Sequence, residues 1–124
     1  MYVLHHTPDS AALIVRLVLE ELGLPYQIAP IDRAGGALDS AAYRKLQPLG
    51  KIPALETPDG VLFETAAIVL HLAEITGKLA PQPNTPERGP FLKWLFFTSS
   101  NLHPVLLNYY YPHRVAGPEN AEAA

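Results

Sequence analysis

The sequence predicts an α/β fold in which a mixed four-stranded sheet carries helices on both faces. An apolar strand, an apolar helix and a second strand follow one another within residues 2–29, as in a parallel strand–helix–strand unit. Pro58-Asp59-Gly60 then separates two short apolar runs, which is a hairpin signal. A helical pattern follows the hairpin, so the predicted order of elements is βαβαββα.

The first helix has a start signal and a stop signal. Ser10 is its predicted N-cap, and Gly23 is expected to end it after Leu22. Arg16 and Glu20, four residues apart, mark its one polar face. Because apolar residues fill the rest of its surface, we expect this helix to be covered on more than one side. These apolar residues include Leu13, Ile14, Leu17, Val18 and Leu22.

The other elements of this part of the chain have similar signals. Asp39 or Ser40 begins a short helix, and Gly77 is the predicted C-cap of the last helix. These two helices are predicted at residues 41–46 and 65–76. Four strands are predicted: residues 2–5, residues 26–29, the run that contains Pro53, and residues 61–63.

The second part of the chain is predicted to be helical. Thr85-Pro86-Glu87 has the marks of a helix start, and the helix is expected from Phe91 to about His103. Pro104 is expected to kink or end it, with residues 105–111 continuing beyond. The predicted domains are therefore residues 1–80 and 90–124, joined by a proline-rich linker at 81–89.

Composition excludes several classes of protein. A chain of 124 residues with 48% hydrophobic residues is long and apolar enough to bury a core. A net charge of −3 argues against a nucleic-acid partner, and the absence of cysteine excludes disulfides and C-x-x-C dithiols. The histidines form no metal signature. Without a signal segment or a run of about 18 apolar residues, we expect a cytoplasmic protein that does not contact a membrane.

The stretch from Gln47 to Leu55 carries the functional signal together with Glu64-Thr65. Pro53 cannot donate a ladder hydrogen bond, and a cis Ile52–Pro53 bond would turn the N–H and C=O of Ile52 outward. An extended peptide could pair with Ile52 as an added strand. Thr65 at a helix N-terminus offers a hydroxyl and N–H groups that suit a carboxylate. The two motifs predict a receptor for a small peptide with a free carboxylate.

Leu49-Gly50-Lys51-Ile52-Pro53-Ala54-Leu55 and Phe63-Glu64-Thr65-Ala66-Ala67-Ile68 resemble the glutathione S-transferase family. The resemblance covers residues 1–80 well and 86–112 more loosely. It implies a thioredoxin-like fold followed by the first helices of an all-α domain, of which this chain would hold an incomplete part. The aromatic residues after residue 90 have few partners in the chain, so we expect a truncated or incomplete transferase, stabilised as a homodimer.

The resemblance also implies a reaction and a set of site residues. Glutathione would be the co-substrate, and its thiolate would attack a small hydrophobic electrophile. Glu64 would bind the ammonium of the γ-glutamyl group and Thr65 its carboxylate, with Ile52 contributing its backbone and Pro53 setting the loop. Lys51 either contacts the peptide or is a surface lysine. No metal is implied.

The residue that would stabilise the thiolate is open between several positions. Ser10 fits by position and type, but a serine before a helix is also an ordinary N-cap. Thr7 is a weaker substitute, and in one alignment of the family pattern the position falls on Ala11. The alternative to an enzyme is a non-catalytic transferase-like module for dimerisation or protein interaction. A glutathione-dependent isomerase or reductive dehalogenase is a third option.

Overall fold

The structure is a computed structural model that describes residues 1–120, so the last four residues of the predicted 90–124 domain lie outside the described part. The chain divides into two compact units. The first unit is Met1–Ala80, and the second begins at Pro81. Each unit is described by itself.

The first unit is built on a four-stranded mixed sheet, as the sequence predicts. Strand β1 pairs in parallel with β2 and antiparallel with β3, and β3 pairs antiparallel with β4. The order across the sheet is therefore β2-β1-β3-β4. The strands are β1 Tyr2–His6, β2 Tyr26–Pro30, β3 Ala54–Thr57 and β4 Gly60–Phe63.

Three helices cover the two faces of this sheet: α1 Ala12–Leu22, α2 Ala41–Leu46 and α3 Thr65–Thr76. Side chains on a strand alternate between faces, so Leu4 and His5 of β1 point in opposite directions. Leu4 joins the apolar core with α1 and α3, whereas the His5 ring contacts Tyr43 of α2. The core residues are Leu4, Val15, Leu19, Leu22, Leu55, Ile68 and Leu72.

Most of the predicted helix ends are confirmed. Gly23 and Gly77 both have the left-handed backbone of a C-cap, and the Ser40 hydroxyl accepts a hydrogen bond from the Tyr43 N–H, as an N-cap does. The predicted N-cap at Ser10 is wrong: α1 begins at Ala12, with Ala11 in the N-cap position. The chain makes two short turns before it enters the regular helix, and Ser10 lies in the first of them.

Only one face of α1 is buried. Val15, Leu19 and Leu22 lie in the core, but Leu13, Ile14 and Leu17 are 45–59% exposed. Within the first unit only one side of this helix is buried, and the expected cover of its other side stays a prediction. Arg16 and Glu20 are exposed as predicted, and both contact the Tyr26 hydroxyl.

Within residues 81–120, the second unit contains three α-helices, α4 Arg88–Phe97, α5 His103–Tyr110 and α6 His113–Ala116. Helix α4 begins three residues before the predicted Phe91. Thr85 does not cap it: Glu87 is in the N-cap position, and the Thr85 hydroxyl donates to the Gln82 carbonyl. A π-helical segment, Thr98–Leu102, joins α4 to α5.

Pro104 does not end the helical run, which continues through it into α5. In a regular α-helix its ring would meet the carbonyl of Ser100. The wider π-helical turn before it changes that register, which allows Pro104 to lie in the first turn of α5. The Thr98 and Ser100 hydroxyls donate to the carbonyls of Trp94 and Phe96, 2.8 and 2.7 Å away.

Large apolar side chains of the second unit are exposed, as the sequence predicts for several of them. Trp94, Phe96, Leu106, Tyr109 and Tyr110 are all at least 44% exposed. Among the described residues, no helix combines the length and the apolar content that are needed to cross a membrane.

Candidate functional site

Strand register brings the predicted site residues together where β1 and β4 end and β3 begins. This end of the strands is called the sheet edge here. His5 is the partner of Ala54 across β1 and β3, and Ala54 is the partner of Phe63 across β3 and β4. The loop after β1, the segment before β3 and the segment after β4 therefore emerge side by side. These segments hold, respectively, Ser10, the run Lys51–Pro53 and the pair Glu64-Thr65.

Ile52 presents an unpaired backbone at this edge. It precedes β3, and the Ile52–Pro53 peptide bond is cis. Neither the N–H nor the C=O of Ile52 has a hydrogen-bond partner among residues 1–120. Pro53 is buried behind it, whereas the Lys51 side chain is exposed. The backbone of Ile52 is thus available to an extended ligand.

Glu64 and Thr65 stand at the N-terminus of α3. Glu64 is exposed and has φ of 71° and ψ of 108°, a sparsely populated region for a residue with a side chain. Its carbonyl accepts from the Ile68 N–H, so the N–H groups of residues 65–67 come before the first intrahelical bond. No side chain caps this helix. The first turn of α3 therefore offers donors and a positive dipole end to an anion, beside the Glu64 carboxylate.

The Ser10 hydroxyl is already bonded within the loop after β1. It donates to the Thr7 carbonyl at 2.7 Å and accepts from the Ala12 N–H at 3.3 Å. Thr7 is 7% exposed, and its own hydroxyl makes no hydrogen bond to any other residue of the described part. The loop thus holds two hydroxyls: that of Ser10 bonds the backbone, and that of Thr7 does not.

Helix α2 holds the loop before Ile52, and sequence reasoning missed these residues. The Tyr43 hydroxyl donates to the Lys51 carbonyl at 2.6 Å, and Arg44 Nη1 donates to the Pro48 carbonyl at 2.9 Å. Gln47 Oε1 accepts from the Leu49 N–H at 2.7 Å. No local signal marks these bonds, because each depends on how α2 lies against the segment that follows it.

A partly buried polar pair lies next to Tyr43 of α2, and it was also missed. His5 Nε2 and Glu56 Oε1 are 2.7 Å apart, and the buried Nδ1 of His5 has no partner among the described residues. The His5 ring meets the Tyr43 ring edge-on, with centroids 5.6 Å apart. Burial raises the pKa of Tyr43 to about 12, so its hydroxyl remains a donor at neutral pH.

Comparison with known families gives one matching domain model. The model described as "Glutathione S-transferase, N-terminal domain" matches residues 1–74. Glutathione S-transferase 3 of Schizosaccharomyces pombe is 38% identical over 109 residues, which are 86% of this chain and 44% of that protein. The disulfide-bond oxidoreductase YfcG of Escherichia coli is 35% identical over 121 residues, with 91% and 56% covered. Elongation factor 1-gamma of Prunus avium is 30% identical over 118 residues, with 87% and 26% covered.

Solved structures with the same fold include proteins with bound glutathione. A glutathione transferase homolog from sulfitobacter with bound glutathione has a TM-score of 0.85 at 27% identity, with 98% of this chain and 59% of that chain covered. Glutathione transferase URE2P6 from Phanerochaete chrysosporium, in complex with oxidized glutathione, has a TM-score of 0.82 at 31% identity, with 94% and 56% covered. The present chain spans about half the length of the first two relatives named above.

Proposed function

The chain belongs to the glutathione S-transferase family, and on that basis we propose that its sheet edge binds reduced glutathione and directs its thiol to a small hydrophobic electrophile. One observation carries this proposal. The unpaired backbone of Ile52 and the uncapped N-terminus of α3 emerge side by side, next to the exposed Glu64 carboxylate. That combination fits a short extended peptide with a free amino-acid end, which is what glutathione offers.

Each end of the tripeptide has a proposed partner. The backbone of Ile52 pairs with the peptide as an added strand, on a loop that Pro53 shapes. The first turn of α3, with the Thr65 hydroxyl, binds the γ-glutamyl carboxylate, and Glu64 binds the ammonium beside it. The exposed Lys51 side chain is a proposed second contact to the peptide.

The reactive thiol is that of the ligand, since the chain has no cysteine. The glutathione thiol loses its proton to solvent, and a sulfur lone pair forms the new bond to the electrophilic carbon as the leaving group departs with its bonding electrons. The protein lowers the thiol pKa by donating a hydrogen bond to the thiolate. Ser10 is the proposed donor, and its O–H would turn from the Thr7 carbonyl to the thiolate when glutathione binds. Thr7 is the alternative in the same loop.

Calorimetric titration of the full chain with reduced glutathione tests the proposal. We expect saturable binding at one site, followed by conjugation when an aromatic electrophile is added. S-Methylglutathione is the matched control ligand, because it keeps the tripeptide contacts and lacks the reactive thiol. It should bind and yield no conjugate. A folded sample that does not bind glutathione would contradict the placement of the site.

Removing either hydroxyl of the loop after β1 identifies the thiolate donor. With Ser10→Ala we expect the pKa of the bound thiol to rise by about one unit and kcat/KM at neutral pH to fall about tenfold. The Thr7→Val change is the matched variant, since it removes a hydroxyl of the same loop and keeps the branched shape. The measurement is thiolate absorbance against pH, with rates in parallel. If only Thr7→Val has these effects, the donor is Thr7, and the bonds of Ser10 are purely structural.

Reduction of a disulfide is a second candidate reaction. It is suggested by the relative that is named a disulfide-bond oxidoreductase and that matches 91% of this chain. At the same site, the glutathione thiolate would attack a disulfide sulfur and expel a thiolate, leaving a mixed disulfide. A second glutathione would then release the other thiol and form glutathione disulfide. A small dialkyl disulfide and an aromatic electrophile, assayed side by side, distinguish the two reactions.

A non-catalytic module is the alternative from another class of protein. The elongation factor 1-gamma relative and the exposed aromatic side chains of α4 and α5 favour it. A homodimer in the cytoplasm fits either class and is part of the proposal. Glutathione binding without turnover of either substrate would select the module.

A further inference from the structure

The segment that precedes Ile52 is fixed by one helix. Three backbone groups of the segment each bond a side chain of α2 or of the residue that follows it: the Pro48 carbonyl, the Leu49 N–H and the Lys51 carbonyl. The bonding side chains are Arg44, Gln47 and Tyr43, in that order. The bond from Tyr43 is the shortest of the three and the nearest to Ile52.

Tyr43 is itself held rigidly. Its side chain is only 4% exposed, and its ring is in edge contact with His5, which bonds Glu56 of the neighbouring strand β3. A phenol placed in this way loses little rotamer entropy when it donates a hydrogen bond, because packing already orders it. Its oxygen is therefore a fixed point against which the loop is positioned.

The accepting carbonyl and the ligand-facing N–H belong to one peptide unit. The Lys51 C=O and the Ile52 N–H are joined in a planar trans peptide, in which the two bonds point in opposite directions. When Tyr43 fixes the carbonyl toward α2, the Ile52 N–H must point away from α2. The same bond polarises the peptide and strengthens the N–H as a donor.

We propose that Tyr43 is a positioning residue for tripeptide recognition, which acts by fixing the direction and donor strength of the Ile52 N–H. The proposal rests on the proposed glutathione site. Tyr43 contacts the Lys51 carbonyl and has no role in the chemical step. Phenylalanine at this position keeps the ring and removes only the hydroxyl that bonds the Lys51 carbonyl, so the peptide unit loses this one restraint.

The test is the Tyr43→Phe variant of the full chain, titrated with reduced glutathione. We expect Kd to rise about three- to tenfold, the range for one net hydrogen bond. The matched control is Tyr26→Phe, which also removes a bonded phenol hydroxyl, from the side of α1 and away from the site. Its Kd should stay within about twofold of the parent chain.

A second measurement separates positioning from simple stabilisation. In the ligand-free protein, the Ile52 amide proton should shift upfield in Tyr43→Phe and remain in place in Tyr26→Phe, because only the first change removes the bond to the attached carbonyl. A lower unfolding midpoint with unchanged Kd and unchanged Ile52 resonance would overturn the inference and leave Tyr43 as a structural residue. If the parent chain does not bind glutathione, the proposed function fails. If the parent chain binds and Tyr43→Phe binds equally, only the present inference fails.

Discussion

Replacement of Glu64 by alanine is expected to weaken glutathione binding by about 10- to 100-fold while the first unit stays folded. A loss of affinity of this size corresponds to the loss of one charge-assisted hydrogen bond, because Glu64 is the proposed partner of the ligand ammonium. Its exposed side chain makes no capping bond to α3, so its removal leaves the helix intact. Titration calorimetry measures the affinity, and circular dichroism checks the fold. An unchanged Kd would show that the ammonium binds elsewhere.

Two controls separate the charge of Glu64 from its backbone. Glu21→Ala removes an exposed carboxylate from α1 and changes the net charge equally, so Kd should not move. Glu64→Gly should lose as much affinity as Glu64→Ala. It should also be more stable than the alanine variant by about 1 kcal/mol, because glycine adopts a φ of 71° without a Cβ penalty. If Glu64→Gly were the less stable of the two, the backbone at this position would not be strained.

Replacement of Gly50 by alanine is expected to destabilise the first unit by about 2–4 kcal/mol. The left-handed φ of 63° costs an L-residue about 1–2 kcal/mol, and a Cβ there would lie 2.9 Å from the Leu38 carbonyl oxygen and 3.2 Å from Arg44 Nη2. The backbone oxygen cannot move without disturbing the turn before α2. Urea unfolding followed by circular dichroism measures the loss, and glutathione affinity should fall with it as the loop shifts.

Gly36 provides the matched control for this substitution. Its φ of 76° also requires a left-handed backbone, but a Cβ there would meet no atom within 4 Å. Gly36→Ala should therefore cost only the conformational part, about 1–2 kcal/mol, and should leave glutathione binding unchanged. Equal losses from the two variants would show that close packing against Leu38 and Arg44 contributes nothing.

Local signals predicted the elements of the first unit well, because each signal acts through the residue's own backbone. Gly23 and Gly77 end helices since only glycine takes the left-handed conformation freely. Ser40 starts α2 because its hydroxyl reaches the Tyr43 N–H three residues ahead. The same reasoning failed at Ser10, because its hydroxyl accepts from the Ala12 N–H, two residues ahead, and the chain makes short turns there before the regular helix begins.

Contacts over a distance explain what local signals missed. No pattern in residues 41–47 shows that Tyr43 would donate to Lys51, because that bond depends on how α2 lies on the sheet. The pairing of His5 with Glu56, 51 residues apart, requires β1 and β3 to be neighbours. Pro104 is a further case, since it was expected to kink or end the helix, and the helical run continues past it after a π-helical segment.

By itself the sequence determined the order of elements, the family resemblance and the two motifs that contain Ile52 and Glu64, since these depend on residue types at short spacing. The tertiary structure decided that these motifs lie at one edge of the sheet, that Tyr43 fixes the peptide before Ile52, and that the Ser10 hydroxyl is bonded to Thr7. The physical reason is strand register: pairing of β1, β3 and β4 places segments that are tens of residues apart side by side.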